Sequence, residues 1–368
     1  MKKLFFIAAL AGAALVSCTK NEGVETPEQD VITFAEPVTA LSTKATEILK
    51  DYPTSKCFSV FADYFTGNYT KLDYGQPYMR NVKTAYVSSL NAWDPKAGSG
   101  VNYYWPKQGT LTFAAYSPSE VSSYVSYDAK GIQFNNYVVE STPTQQYDLL
   151  FSERSYNQTK TTQDGWVAGD DSKYVGVDIK FNHALSSIIF NAKTDVNYNE
   201  DNFYIFLTKL SLVDVCSKGS FNQNLTDANG DLTDEDWAGW SGLADRTEYV
   251  VFEGSHLLSN SNALVPGITP GTQSDVTDVQ NSHLILLPQP LAGAKLYVEY
   301  KISNRNVSPA TVIDQTATVD LSTFDVDNWF RGKRYIYNIT FGLDKIYFDP
   351  IVTNWDQVTV TPDVAIGR

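Results

Sequence analysis

The chain has 368 residues, with 28 Lys and Arg against 42 Asp and Glu, a net charge of −14 and a pI near 4.6. So acidic a chain lacks the basic footprint that nucleic-acid binding demands, and its length suits about two domains. Its 23 Tyr and 19 Phe against 2 Met favour pleated, half-buried surfaces over helices.

At the amino end, Lys2 and Lys3 precede an apolar run over residues 4–16. The run has the length of a signal-peptide core and is too short to span a bilayer. Leu15, Val16, Ser17 and Cys18 then follow the order of a bacterial lipobox: an aliphatic residue, two small or aliphatic residues, and Cys. In that chemistry the Cys18 thiol accepts a diacylglyceryl group, cleavage falls just before it, and the new amino group is acylated. Several acyl chains on one residue anchor a protein without a transmembrane helix. Residues 1–17 are therefore expected to be a lipoprotein signal peptide. Residues 18–30, polar, acidic and without period, read as a tether.

Strand signals follow in succession. "VITFAEPV" (residues 31–38) places Ile32 and Phe34 on one face and Val31 and Thr33 on the other, and ends at Val38. The next stretch, "TALSTKATE", reads as an exposed loop. "CFSVFADYF" (residues 57–65) is apolar on both faces, as an inner strand is. "TLTFAAY" (residues 110–116) follows the turn-like "WPKQG". "YVGVDIKF" (residues 174–181) alternates, with Val175, Val177, Ile179 and Phe181 inward. "NHALSSIIF" (residues 182–190) is expected to open on a helical turn, and "TDEDWAGW" (residues 233–240) to form a short helix capped by Thr233 or Asp234. "FYIFLTKLSLVDV" (residues 203–215) holds one long strand or two short ones. "HLILL" stops at Pro288, "KLYVEYKI" (residues 295–302) alternates again, and "RYIYNITF" (residues 334–341) puts Tyr335, Tyr337, Ile339 and Phe341 on one face. Many short strands separated by Gly, Asn, Asp, Ser and Pro predict an all-β chain of β-sandwiches. The Gly- and Asp-rich residues 162–173 mark the expected boundary, giving domains at 31–170 and 171–368.

No catalytic pattern stands out. The sequence lacks a GxSxG elbow, an HExxH helix, a phosphate-cradling loop and a dinucleotide fingerprint. Its carboxylates have no recognisable pairing for glycoside hydrolysis. No cofactor and no metal are expected. Asp227, Asn229 and Asp231 start like a calcium loop, but Leu232 stands where that loop needs Gly and Ala238 where it needs Glu. His183 beside "ALSSIIF" reads as a packed, hydrogen-bonded residue rather than a ligand. Cys57 and Cys216 read as thiols acting as small hydrophobes, although an oxidising compartment would allow a disulfide. The aromatic "VNYYWP" (residues 101–106) suits a strand core better than a sugar platform.

Several stretches together carry a family resemblance: the lipobox, "ITFAEP" and "STKATE", "YYWPKQGTLTFAAYSPS", "DLLFS", "VDIKFNHALSSIIFNAK" and "GKRYIYNITFGLDKIYFDPIVTNWDQV". In this order they resemble the fimbrillins, the FimA/Mfa-like pilin lipoproteins of Bacteroidales. The resemblance implies two transthyretin-like β-sandwich domains in tandem. It implies an outer-membrane lipoprotein precursor, a protease cut in the loop after the first strand, and a strand from the next subunit that fills the vacated groove. Carried onto this chain, the removable strand holds Val31, Ile32, Phe34 and Val38, and is read as an edge strand. The scissile bond joins Lys44 to Ala45, where relatives usually carry Arg. The donor strand comes from "DQVTVTPDVAIGR", in which Val358, Val360 and Val364 alternate with Pro362 among them.

The expected function is a non-enzymatic fimbrial subunit with a role in adhesion. Its partners would be other pilin subunits, the outer membrane through the precursor's lipid, and surface ligands on host or bacterial cells, with no nucleic acid. The alternative is a monomeric surface lipoprotein that binds glycans through its aromatic loops.

Overall fold

The computed structural model describes residues 31–41, 48–69, 75–162, 176–197, 201–223, 239–261, 263–265 and 284–355. Cys18, the Lys44–Ala45 bond, the loop at Asp227, the helix expected in "TDEDWAGW" up to Ala238, and Val358, Val360 and Val364 lie outside the described residues.

The chain is almost all β. Its first half runs β1 (Val38–Leu41), β2 (Ile48–Asp51), β3 (Phe58–Phe65), β4 (Gln76–Val87), β5 (Ala92–Asp94), the short helix α1 (Pro95–Ser99), β6 (Thr110–Ser117), β7 (Val125–Asp128), β8 (Gly131–Val138), β9 (Leu150–Ser152), β10 (Ser155–Gln158) and β11 (Lys180–His183). A nine-stranded sheet has the order β2-β1-β11-β9-β6-β3-β4-β5, with β10 beside β6. Residues 31–37, which lead into β1, bridge to Trp93 of β5 on one side and to Val177 on the other. The sheet therefore closes on itself around a core of Phe34, Phe58, Trp93, Phe113 and Phe181.

The second half runs β12 (Ser186–Thr194), β13 (Phe203–Asn222), β14 (Trp240–Leu257), β15 (Ala263–Leu264), β16 (Leu284–Leu286), β17 (Gln289–Pro290), β18 (Lys295–Asn304), β19 (Thr311–Asp320), β20 (Asn328–Trp329), β21 (Lys333–Phe341) and β22 (Ile346–Asn354). One sheet has the order β15-β12-β21-β22, with β16 also on β12. Another has the order β19-β18-β13-β8-β7, with β14 on β13. Tyr300 of β18 meets Phe341 of β21 edge-on at 5.3 Å, so the two sheets close over a second core.

The two cores share a wall. In β3, Phe58, Val60 and Ala62 point into the first core while Phe61 belongs to the second. In β6, Phe113 and Ala115 face the first core, and Ala114 and Tyr116 the second. A strand clothed on both faces has no polar side, which is why "CFSVFADYF" lacks alternation. The β7–β8 hairpin is pinned to the same wall. Tyr127 stacks on Phe61 at 4.9 Å, donates its hydroxyl to Asp63 at 3.0 Å and lies under the Arg154 guanidinium at 5.3 Å.

Two local expectations change, and one open choice is decided. Asn182 and His183 lie in β11, paired with β9, so no helical turn opens "NHALSSIIF"; non-local strand pairing overrides the local signal. "FYIFLTKLSLVDV" is the single long strand of the two readings, continuing to Asn222, with ladder irregularities and Asp214 at φ 61° along it. Val177, Ile179 and Phe181, expected to open the second sandwich, pack in the first core, while β8 crosses the other way to pair with β13.

Burial pushes the phenols of Tyr127, Tyr137, Tyr249, Tyr335 and Tyr337 far above their ordinary value of 10.0. An unfolded phenol ionises near pH 10. These groups therefore hold their full stabilisation below about pH 10 and lose it as the pH rises toward their folded values. Alkaline titration should give phenolate absorbance in two steps, exposed tyrosines first and these five only with loss of the far-UV circular dichroism. A single step with the dichroism intact would contradict their burial.

Candidate functional site

The candidate site is the slot that residues 31–38 fill. Ile32 and Phe34 are fully buried, whereas Val31 and Thr33 are half-buried, so the alternation read in the sequence sets the faces. Phe34 makes edge-on ring contacts with Phe58 at 5.7 Å and Phe113 at 5.6 Å.

Its backbone is held on both sides. On one side the Ile32 N–H donates to the Tyr103 carbonyl at 2.8 Å, and Phe34 exchanges both its bonds with Trp93 at 2.9 Å. On the other, the Ala35 N–H donates to the Val177 carbonyl at 3.0 Å, the Val38 N–H to Ile179 at 3.0 Å, and the Val177 N–H to the Thr33 carbonyl at 2.9 Å. The segment was expected to be an edge strand; it lies between two partners instead. Pro37 fits because its carbonyl accepts from the Tyr52 N–H at 2.8 Å, a role that needs no donor of its own. Gly176 lets the neighbouring chain come close. It sits at φ 103°, and a Cβ there would lie 2.7 Å from the Ala35 nitrogen and from the Phe34 carbonyl carbon.

The slot walls were hard to find from sequence. Trp93 and Tyr103 carry no periodic signal, and Val177 and Ile179, with Gly176 on the opposite face of the same alternation, are expected in another domain. The aromatic "VNYYWP" is part of this wall. Trp105 is buried against Phe113 at 5.9 Å, Tyr103 packs on the first core, and Tyr104 bridges to Val31. Trp105 is thus a core side chain, and Tyr103 and Tyr104 are half-buried at the slot.

The expected donor segment starts just past a second anchored group. Trp355 is buried, and its ring stacks on His183 at 4.3 Å with 4° between planes. His183 Nδ1 lies 3.0 Å from Asp148 Oδ1, so this histidine is packed and hydrogen-bonded as its sequence context implied. Cys57 and Cys216 are free thiols, half-buried and buried, and burial raises both above the ordinary thiol value. Among the described residues no group of His, Cys, Asp and Glu is arranged to hold a metal ion.

A family model described as fimbrillin-like matches residues 54–355. The chain belongs to the fimbrillin-like family. No curated protein matches it. Among solved structures, a fimbrial protein from Bacteroides vulgatus is similar, at 18% identity and a TM-score of 0.56, covering 88% of this chain and 99% of its own. A fimbrial assembly protein from Parabacteroides distasonis matches at 10% identity and a TM-score of 0.34, covering 88% of this chain and 100% of its own. The first of these shares the fold.

Proposed function

We propose that this fimbrillin-like chain is a non-enzymatic fimbrial subunit, made as a lipoprotein acylated on Cys18 and polymerising by strand exchange. Cleavage between Lys44 and Ala45 would free residues 31–38, and Val358, Val360 and Val364 of another subunit would enter the slot. The reading includes two tandem transthyretin-like sandwiches, an outer-membrane precursor, a cell-surface fimbrium and adhesion to host or bacterial surface ligands.

The observation that carries the reading is the double-sided seating of residues 31–38. Losing them would strip partners from the Trp93 N–H and carbonyl, the Tyr103, Val177 and Ile179 carbonyls and the Val177 N–H. Each buried polar group left unsatisfied costs about 1–3 kcal/mol, and the trench left by Ile32 and Phe34 would be apolar. An extended strand from another subunit meets both demands at once, through main-chain bonds and alternate side chains. Lys44 falls between β1 and β2 in sequence, and these pair with each other, so the cut would split that hairpin and leave β1 on the lipidated side.

The test is the amino terminus of the mature protein on native cells. Ala45 as the first residue is expected. Fully assembled material that retains acylated Cys18 would reject processing and favour a basal anchor subunit or the monomeric glycan-binding alternative.

A further inference from the structure

Open strand edges attract other strands, and proteins normally blunt them with charge, Pro, bulges or shortness. Among the described residues most free edges here are blunted in that way. β2 and β7 have four residues each. β22 carries Asp349 and Pro350. β14 carries Asp245, Arg246, Glu248 and Glu253, with Gly242 and Gly254 at positive φ and irregular pairing to β13. β19 is different. It is 10 residues long, pairs with β18 without irregularity and contains no Lys, Arg, Pro or Gly. Val312 is 57% exposed and Ile313 50%.

We propose that the free edge of β19 is a homotypic docking edge, where a second copy of this chain adds its own β19 antiparallel about a two-fold axis, with Thr316 on the axis. The argument for this occupant is the self-complementarity of the strand. A two-fold axis perpendicular to the sheet keeps each face on its own side, so opposed residues share a face. Ile313, Gln315, Ala317 and Val319 lie on the face of their β18 partners Ile302, Tyr300, Val298 and Leu296, which belong to the second core. Val312, Asp314, Thr316 and Thr318 lie on the other face, opposite Ser303, Lys301, Glu299 and Tyr297.

The two aspartates narrow the choice of register. Setting Asp314 opposite itself, or opposite Asp320, opposes like charges and is destabilising. With Thr316 on the axis, Asp314 meets Thr318, Gln315 meets Ala317, and the exposed Ile313 meets Val319. A Thr–Thr pair at the centre and an apolar pair three residues out are favourable cross-strand contacts, and Val312 faces Asp320 at the rim. Asp314 is already countered within its own chain by Lys301 at 3.4 Å.

One added strand pair buries less than the about 1,000 Å² that a stable interface needs. The contact is therefore weak between free molecules and becomes strong only where many copies are aligned, by effective concentration. On the fimbrial reading above, that means side-to-side bundling of filaments. The contact itself needs neither cleavage nor strand exchange, so it stands or falls separately from that reading.

The test uses the full uncut chain with Cys18→Ala, Cys57→Ser and Cys216→Ser, and adds a single cysteine. Under mild oxidation Thr316→Cys should form disulfide dimers about tenfold faster than the exposed-loop control Ser89→Cys, because pairing raises the local thiol concentration. Adding Ile313→Lys should return the rate to the control value. Sedimentation of the chain with its natural cysteines 57 and 216 should show a concentration-dependent weight increase that Ile313→Lys removes. Equal rates for Thr316→Cys and Ser89→Cys, a faster rate for Gln315→Cys than for Thr316→Cys, or indifference to Ile313→Lys would each overturn the proposal.

Discussion

Phe34→Ala should lower the unfolding free energy of the uncut chain by about 3–5 kcal/mol, the range for removing a large aromatic side chain from a core. The ring is fully buried, and its contacts with Phe58 and Phe113 are edge-on aromatic pairs. Such pairs are worth about 0.5–1.5 kcal/mol beyond the buried area. Relaxation around the cavity is limited, because the Phe34 backbone is tied to Trp93 and its neighbours Thr33 and Ala35 are tied to Val177. Thr33→Ala, on the half-buried face, should cost far less. Urea unfolding with an unchanged slope would measure the loss as a shift of midpoint. A loss below about 1 kcal/mol would mean that the segment is not seated as described. The effect should also depend on processing. In material whose amino terminus is Ala45, residue 34 is gone, and the substitution should have no effect on its stability.

Much of this site was legible in the sequence, but only in one dimension. Alternation in "VITFAEPV" assigned Ile32 and Phe34 to the buried face correctly, and alternation in "RYIYNITF" did the same for Tyr335, Tyr337, Ile339 and Phe341. The lack of alternation in "CFSVFADYF" correctly marked a strand covered on both faces. Period gives the face of a strand and nothing about its neighbours. The partners of residues 31–38 come from residues 93, 103 and 177–179, and no local pattern links them. For the same reason an interior strand was read as an edge, and Val177–Ile179–Phe181 was placed in the wrong core. Gly176 escaped notice because its role, letting Phe34 and Ala35 approach closely, exists only once the two chains are side by side.

Trp355 is where the second large effect is expected. Trp355→Ala should cost about 3–5 kcal/mol, since the indole is 4% exposed and fills space between β11 and the end of β22. The loss includes more than volume. The ring covers the His183 imidazole face at 4.3 Å, and removing it would admit water to the His183–Asp148 pair, which is otherwise buried. Trp355→Phe should therefore recover a large part of the loss, because an aromatic face is kept over His183. The backbone N–H of residue 355 would still donate to the Gly332 carbonyl, 3.2 Å away, in either variant, so the cost reports on the side chain. Trp355 belongs to the second core and Phe34 to the first. The losses from Phe34→Ala and Trp355→Ala should add to within about 0.5 kcal/mol, as for sites without shared partners. A double variant that departs from additivity by more would show that the wall of β3 and β6 couples the slot around Phe34 to the packing of Trp355 on His183.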